Sequence, residues 1–144
     1  AWAFCGHLDP NRIEYLEDPC ADFADIAFVA NRTGMPVAID ELLAQGKPWE
    51  PIPQLRALVL KPTLLGSLAH CEALVARARE LRLKVIVSSC FESGLGLNQL
   101  FHLAGEWAPD QAPGLDTRRW LAADLLDATG KPDLSLLEPL FHRD

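Results

Sequence analysis

The 144-residue sequence has no C-x-x-C pair, no apolar run of membrane length and no block of like charge. Its four cysteines, Cys5, Cys20, Cys71 and Cys90, are scattered. That spacing excludes zinc-ribbon and thioredoxin-type motifs and is the pattern expected of reduced thiols. No stretch approaches the ~20 apolar residues that span a bilayer. The opening Ala1-Trp2-Ala3-Phe4-Cys5-Gly6-His7 lacks the basic start and long apolar region of a secretory leader, so a cytoplasmic protein is expected. Thirteen basic residues stand against 20 acidic ones, for a net charge of −7. With no basic cluster, nucleic-acid binding has no electrostatic footing. What remains is ordinary: 49% apolar and 23% charged residues in a length of about one domain. A disordered tail, a collagen-like chain and a disulfide-stapled miniprotein are excluded.

Four short apolar runs read as strands covered on both faces: Ile13–Leu16, Pro36–Ile39, Ala57–Leu60 and Lys84–Val87. A short fifth run ends at Gly114-Leu115-Asp116. Helices fall between them. The clearest covers Ser67 to Leu83, with Ser67 as N-cap and Leu68, Cys71, Leu74, Val75, Ala78 and Leu81 on one stripe. Others cover about Leu97 to Trp107 and Ala21 to Thr33, the latter stopped by Gly34 and Met35-Pro36. A last helix is predicted to start near Thr117, capped by Asp116. The alternation argues a parallel α/β sheet.

Each strand ends on polar residues: Glu17-Asp18, Asp40-Glu41, Lys61, Ser88-Ser89 and Gly114-Leu115-Asp116. From Glu17 through Asp40, Lys61 and Ser88 to Asp116 the steps are 23, 21, 27 and 28 residues. That is a repeated βα unit, a little tighter than the ~31 residues per unit of a (β/α) barrel. In such folds the C-terminal strand ends carry the chemistry. Five strands do not close an eight-stranded barrel, so the sheet is open or the chain is part of a larger barrel.

Glu17, Asp40 and Lys61 would lie at one edge of three adjacent strands ~4.8 Å apart. Two converging carboxylates call for a cation, and a hard divalent ion such as Mg²⁺ suits oxygen ligands. With the Lys61 ammonium beside it, such an ion would make a pocket for a carboxylate substrate. Taken singly, Glu17-Asp18 before Pro19 reads as a turn, Asp40-Glu41 as a helix cap and Lys61 before Pro62 as a solvated strand end. Their recurrence in register favours a site. The loop Ser88 to Gly96 is polar and enters a helix, so its backbone N–H groups could hold a carboxylate. It is neither a dinucleotide fingerprint nor a nucleophile elbow. His7, His70, His102 and His142 have no metal-ligand spacing, and the four tryptophans read as packing residues.

In order, Leu16-Glu17-Asp18-Pro19-Cys20, Ile39-Asp40-Glu41, Leu60–Ser67, Val87–Gly96 and Pro113-Gly114-Leu115-Asp116-Thr117 resemble the o-succinylbenzoate synthase family of the enolase superfamily. The resemblance covers about residues 11 to 120. It implies a lyase, a Mg²⁺-dependent hydro-lyase of menaquinone synthesis. Such an enzyme dehydrates a succinyl-hydroxycyclohexadiene carboxylate to o-succinylbenzoate through an enediolate. It also implies Glu17 and Asp40 as metal ligands and Lys61 as the catalytic lysine that stabilises the enediolate. Ser88, Ser89 and Gly114 become substrate contacts. The implied fold is a partial (β/α) barrel of TIM type, about strands four to eight, without the N-terminal capping domain. Residues 1–128 would form it and 129–144 a C-terminal extension.

The family's Lys-x-Lys base and first aspartate ligand belong ahead of Glu17, and neither stands there. The chain alone is therefore expected to be inactive, and to pair its open sheet edges with another copy or with a missing N-terminal half. Two other readings remain open. One is a racemase or epimerase of the same superfamily. The other is a non-catalytic module that binds a carboxylate at Ser88–Gly96.

Overall fold

The computed structural model describes residues 1–127 and 129–136. Residue 128 and the 137–144 part of the expected extension, with His142, lie outside the described residues. Four parallel strands form one sheet in chain order: β1 (Leu16–Glu17), β2 (Val37–Ile39), β3 (Leu55–Leu60) and β4 (Lys84–Val87). The register runs Glu17 against Ala38, Ile39 against Leu58 and Leu60 against Val87, with one irregularity between Val37 and Ala38. The fifth strand is a single parallel bridge between Ser88 and Gly114.

Helix α1 (Trp2–Cys5) precedes the sheet, and α2 (Phe23–Thr33) joins β1 to β2. The short α3 (Glu41–Ala44) and α4 (Pro62–Leu65) follow β2 and β3 directly, and α5 (Leu68–Glu80) leads into β4. Helix α6 (Gly94–Trp107) follows β4. Helix α2 stops where Gly34 takes φ 71°, a left-handed conformation that glycine adopts without a Cβ penalty. The helix expected from Thr117 is only a 3₁₀ turn, Arg118–Trp120. Asp116 does not cap it; its carboxylate pairs instead with Arg119 at 3.1 Å.

Alternate residues of β3 serve two layers. Leu58 and Leu60 pack outward with Val37, Ile39, Val85 and Val87 against Ile26 and Ala30 of α2, Cys71, Val75 and Ala78 of α5, and Leu100, Ala104 and Trp107 of α6. Ala57 and Val59 pack on the other face with Ala38, Tyr15 and Ile86. Both faces are covered, which is why the strands read as nearly continuous apolar runs. The α5 stripe is buried at Cys71, Val75 and Ala78, while Leu68 in its first turn is exposed.

The Ser67 hydroxyl accepts the His70 amide at 3.2 Å, as its cap position requires. Ser67→Ala is expected to destabilise the chain by about 1 kcal/mol, read as a lower thermal midpoint. Ser67→Asp, which keeps an acceptor, should hold wild-type stability.

Candidate functional site

The strand ends converge where β1, β2 and β3 stop. Asp40, the residue after β2, is 6% exposed, and Lys61, the residue after β3, is half-buried. Lys61 Nζ donates to Asp40 Oδ2 at 2.6 Å and to Glu41 Oε1 at 2.6 Å. The alternation of α/β units put these residues in register, and the structure brings them into direct contact. Glu17, at the end of β1, is exposed. Lys61 pairs with Glu41 rather than with Glu17.

Burial pushes the Asp40 carboxyl up to about 6, and the Glu41 and Glu17 charges add to the rise, against the opposing hydrogen bond and charge of Lys61. Burial works against the Lys61 ammonium too, yet the hydrogen bonds and charges of Asp40 and Glu41 outweigh it and push it up to about 12. Glu41 is held below the usual carboxylate range chiefly by its hydrogen bond from Lys61. The cluster is thus a firmly protonated lysine held between two carboxylates, one of them buried, each charge stabilising the other.

Asp18 was legible only as a polar strand end, and it does more. Its Oδ1 accepts the Asp40 amide at 3.2 Å and its Oδ2 the Leu42 amide at 3.0 Å. A side chain on one strand end therefore caps the helix that follows the next strand, and the Asp40 side chain makes no cap bond there. Asp18 takes φ 32°, a conformation Asp tolerates better than most residues. Glu41 and Asp18 stand beside predicted site residues, and that adjacency was the one signal that could have found them.

The second half of the site is the turn after β4. Ser88 is half-buried and donates weakly to the Gly114 carbonyl at 3.4 Å. Ser89 is buried, and its hydroxyl lies 3.0 Å from both the Gly114 carbonyl and Thr117 Oγ1. Gly114 is exposed. A Cβ on it would meet Ser88 Oγ at 3.0 Å, so glycine permits the close pass of the two segments. The turn's own donors are partly spent. Glu92 Oε2 accepts the Cys90 amide at 2.6 Å, and the other Glu92 oxygen accepts from Thr63. Phe91, exposed at the apex, takes φ 60°.

Comparison with known proteins now bears on this geometry. No family model matches the chain. The chain is 40% identical over 135 residues to the o-succinylbenzoate synthase of Pasteurella multocida, covering 88% of itself and 39% of that protein. It thus spans about two fifths of the length of the curated relatives it matches. Its backbone superimposes on the crystal structure of MenC from Desulfotalea psychrophila with a TM-score of 0.72, at 22% identity over 89% of the chain and 38% of that structure. The chain thus shares the fold of about two fifths of that structure. A further structural relative, an enolase from Pseudomonas fluorescens, carries bound magnesium, potassium and tartrate; it matches 72% of this chain and 24% of that one with a TM-score of 0.51, at 23% identity.

The cluster and the turn lie at the C-terminal strand ends, where a (β/α) barrel presents its chemistry. The donor set for a metal is incomplete. Among the described residues no group of three or more His, Cys, Asp or Glu side chains is arranged to hold an ion. Asp40, the best-placed carboxylate, is engaged by Lys61. These residues do not build a magnesium site by themselves. His7, His70 and His102 are exposed and outside the cluster. The cysteines are free. Trp107 is buried and Trp49 partly so, but Trp2 and Trp120 are exposed beneath Arg32 and Arg119.

Among the described residues no helix is long and apolar enough to cross a membrane.

Proposed function

We propose that this chain is part of an o-succinylbenzoate synthase, a hydro-lyase that dehydrates a succinyl-hydroxycyclohexadiene carboxylate in menaquinone synthesis. The observation that carries this reading is the contact of Asp40 with Lys61 across adjacent strand ends, in a chain 40% identical to such an enzyme over most of its length. Lys61 supplies fixed positive charge toward negative charge that builds on the substrate carboxylate as its neighbouring proton leaves. Its raised pKa suits that role better than proton abstraction, because a base must give up its own proton near working pH. Ser88, Ser89 and Gly114 border the space where the substrate's carboxylate and succinyl arm would lie.

Glu17 and Asp40 are read as two carboxylates of a Mg²⁺ site whose remaining donor lies outside these 144 residues. The sequence contains no Lys-x-Lys pair to act as base. The chain alone is therefore expected to be inactive, since loss of a general base alone costs ~10²–10⁴-fold. Residues 1–128 are taken as the barrel portion and 129–144 as an extension. The sheet edges at β1 and at Gly114 are expected to pair with a second copy or with the rest of a barrel. A cytoplasmic setting agrees with the free thiols.

The test is a transplant. The matched stretch of the Pasteurella multocida enzyme is replaced by its counterpart from this chain, and Mg²⁺-dependent formation of o-succinylbenzoate is followed by absorbance. Turnover is expected in the chimera, and its loss on Glu17→Gln or Asp40→Asn. A folded but inert chimera would overturn the reading, while full-rate turnover by the 144-residue chain alone would uphold the activity and overturn the expectation that the chain is inactive by itself.

A further inference from the structure

Segment 114–127 is fastened to the turn after β4 at both ends. At its start, the Gly114 amide donates to the Val87 carbonyl at 2.9 Å, and the Ser89 amide donates back to the Gly114 carbonyl at 3.0 Å. Thr117 adds the bond to the Ser89 hydroxyl. At its far end, Asp124 Oδ1 accepts the Gly94 amide at 2.6 Å, at the first residue of α6, and the Leu125 amide at 2.8 Å. Arg118 Nε lies 2.6 Å from Asp124 Oδ2. The seat is close: a Cβ on Gly94 would stand 2.5 Å from Asp124 Oδ2 and 2.5 Å from Leu126 Cδ1. A Cβ there would force the Asp124 and Leu126 side chains to move. The Asp124 side chain is 13% exposed. Hydrogen bonding from the Gly94 amide, with that from Leu125 and the Arg118 charge, holds its carboxyl below the usual aspartate range.

We propose that Asp124 is a positioning residue: it clamps the start of α6 and so holds the Ser88–Gly94 turn, with Ser88 and Ser89, in the geometry the site uses. The inference rests on the reading that this turn faces the substrate. The physical case is one of complementarity and constraint. A carboxylate at the N-terminus of a 14-residue helix is favoured by the helix dipole and meets an amide that would otherwise lack an acceptor. The turn it closes contains a non-glycine residue, Phe91, at positive φ, a conformation that persists only when its surroundings hold it. With Glu92 on the Cys90 amide and Asp124 on the Gly94 amide, the chain's own carboxylates satisfy both ends of the turn. The Ser89, Cys90 and Gly94 amides, among those that the sequence alone offered to a ligand, thus serve to shape the turn, and the Ser89 hydroxyl is likewise spent on Gly114 and Thr117.

The test is amide hydrogen exchange and proton NMR on the 144-residue chain, which needs no catalytic activity. In the wild type the Gly94 amide proton is expected well downfield of the other glycines, as a short bond to a carboxylate dictates. Asp124→Ala should return it upfield and speed exchange at Ser89 and Gly94 by about tenfold or more, while Leu58 and Val59 in β3 keep their rates. Asp124→Asn, which keeps an acceptor oxygen, should restore most of the protection. The proposal is overturned if Asp124→Ala leaves Ser89 and Gly94 as they were, or if it speeds β3 equally, because Asp124 would then support the whole fold. Should Asp124→Ala not fold, Gly94→Ala pushes on the clamp from the helix side. It is expected to loosen the same amides, and unchanged rates there would overturn the clamp. An inert chimera alongside an intact clamp signature would remove the function and leave the clamp standing.

Discussion

Replacing Lys61 by methionine is expected to lower the stability of this chain by about 2–3 kcal/mol near pH 8 and by much less near pH 5. The asymmetry follows from Asp40. Its carboxyl, near 3.8 when unfolded, rises to about 6 in the fold because it is buried. A raised acid pKa means the folded state holds the proton more tightly. Ionising Asp40 therefore costs stability, about 3 kcal/mol at ~1.4 kcal/mol per unit, absent below the unfolded value and fully present above about 6. Lys61 has the opposite sign. Its pKa is raised from 10.5 to about 12, so its contribution is present below the ordinary lysine range and lost only as pH climbs through the folded value. Across neutral pH the ammonium offsets part of the burial cost of the carboxylate.

Methionine keeps the apolar stem and removes the charge, so Asp40 is left buried and unpaired. Removing one partner of a fully buried pair costs ~3–5 kcal/mol, and the 16% exposure of Lys61 sets the expectation at or below the lower end of that range. Near pH 5 Asp40 is mostly protonated and the loss shrinks. Urea midpoints of wild type and variant at both pH values make the measurement. Equal losses at the two would assign the effect to packing of the stem and defeat the electrostatic account. Adding Asp40→Asn to Lys61→Met should recover most of the loss at the higher pH, because the unpaired charge is gone.

Asp18→Ala is the second large effect, expected at about 2–3 kcal/mol. Two amides lose their acceptor at once, those of Asp40 and Leu42, in a partly buried place where water does not fully replace it. Alanine also inherits a positive φ of 32°, which Asp tolerates and a plain Cβ does not. Asp18→Asn keeps one acceptor oxygen and should lose about half as much. Asp18→Gly should fall slightly short of the alanine loss, since glycine removes the backbone strain but supplies no acceptor. Chemical denaturation of the three variants sets the order. If alanine and asparagine destabilise equally, the carboxylate's two bonds are not what Asp18 contributes. The consequence reaches the site, because Asp18 holds the backbone from which the Asp40 side chain departs toward Lys61.

Local physics was legible in the residues wherever its cause lay within about one helical turn. Gly34 followed by Met35-Pro36 ended α2, Ser67 capped α5, and Lys84–Val87 became β4 with the bounds the apolar run proposed. The repeat of strand ends put Asp40 and Lys61 in register, and their contact is what parallel pairing of β2 with β3 makes of that repeat. The alternation of strands and helices, read from periodicity alone, was enough for a parallel α/β sheet. Where the reading failed, the cause lay far along the chain. The run ending at Asp116 is reduced to one bridge at Gly114, and the helix expected from Thr117 is a 3₁₀ turn, because this segment spends the Thr117 and Asp124 side chains on partners 28 and 30 residues earlier. Helix α6 starts at Gly94, three residues before the apolar stripe announces it, on an amide that Asp124 accepts. Asp18 could not be assigned its role from sequence, since its two amide donors lie 22 and 24 residues away. Composition, caps and periodicity determined which elements form and which strand ends carry charge. Only the tertiary structure decided which carboxylate the lysine takes, which aspartate caps α3 and which one clamps α6. Those choices depend on strand register and close approach, and both exist only once the chain has closed on itself.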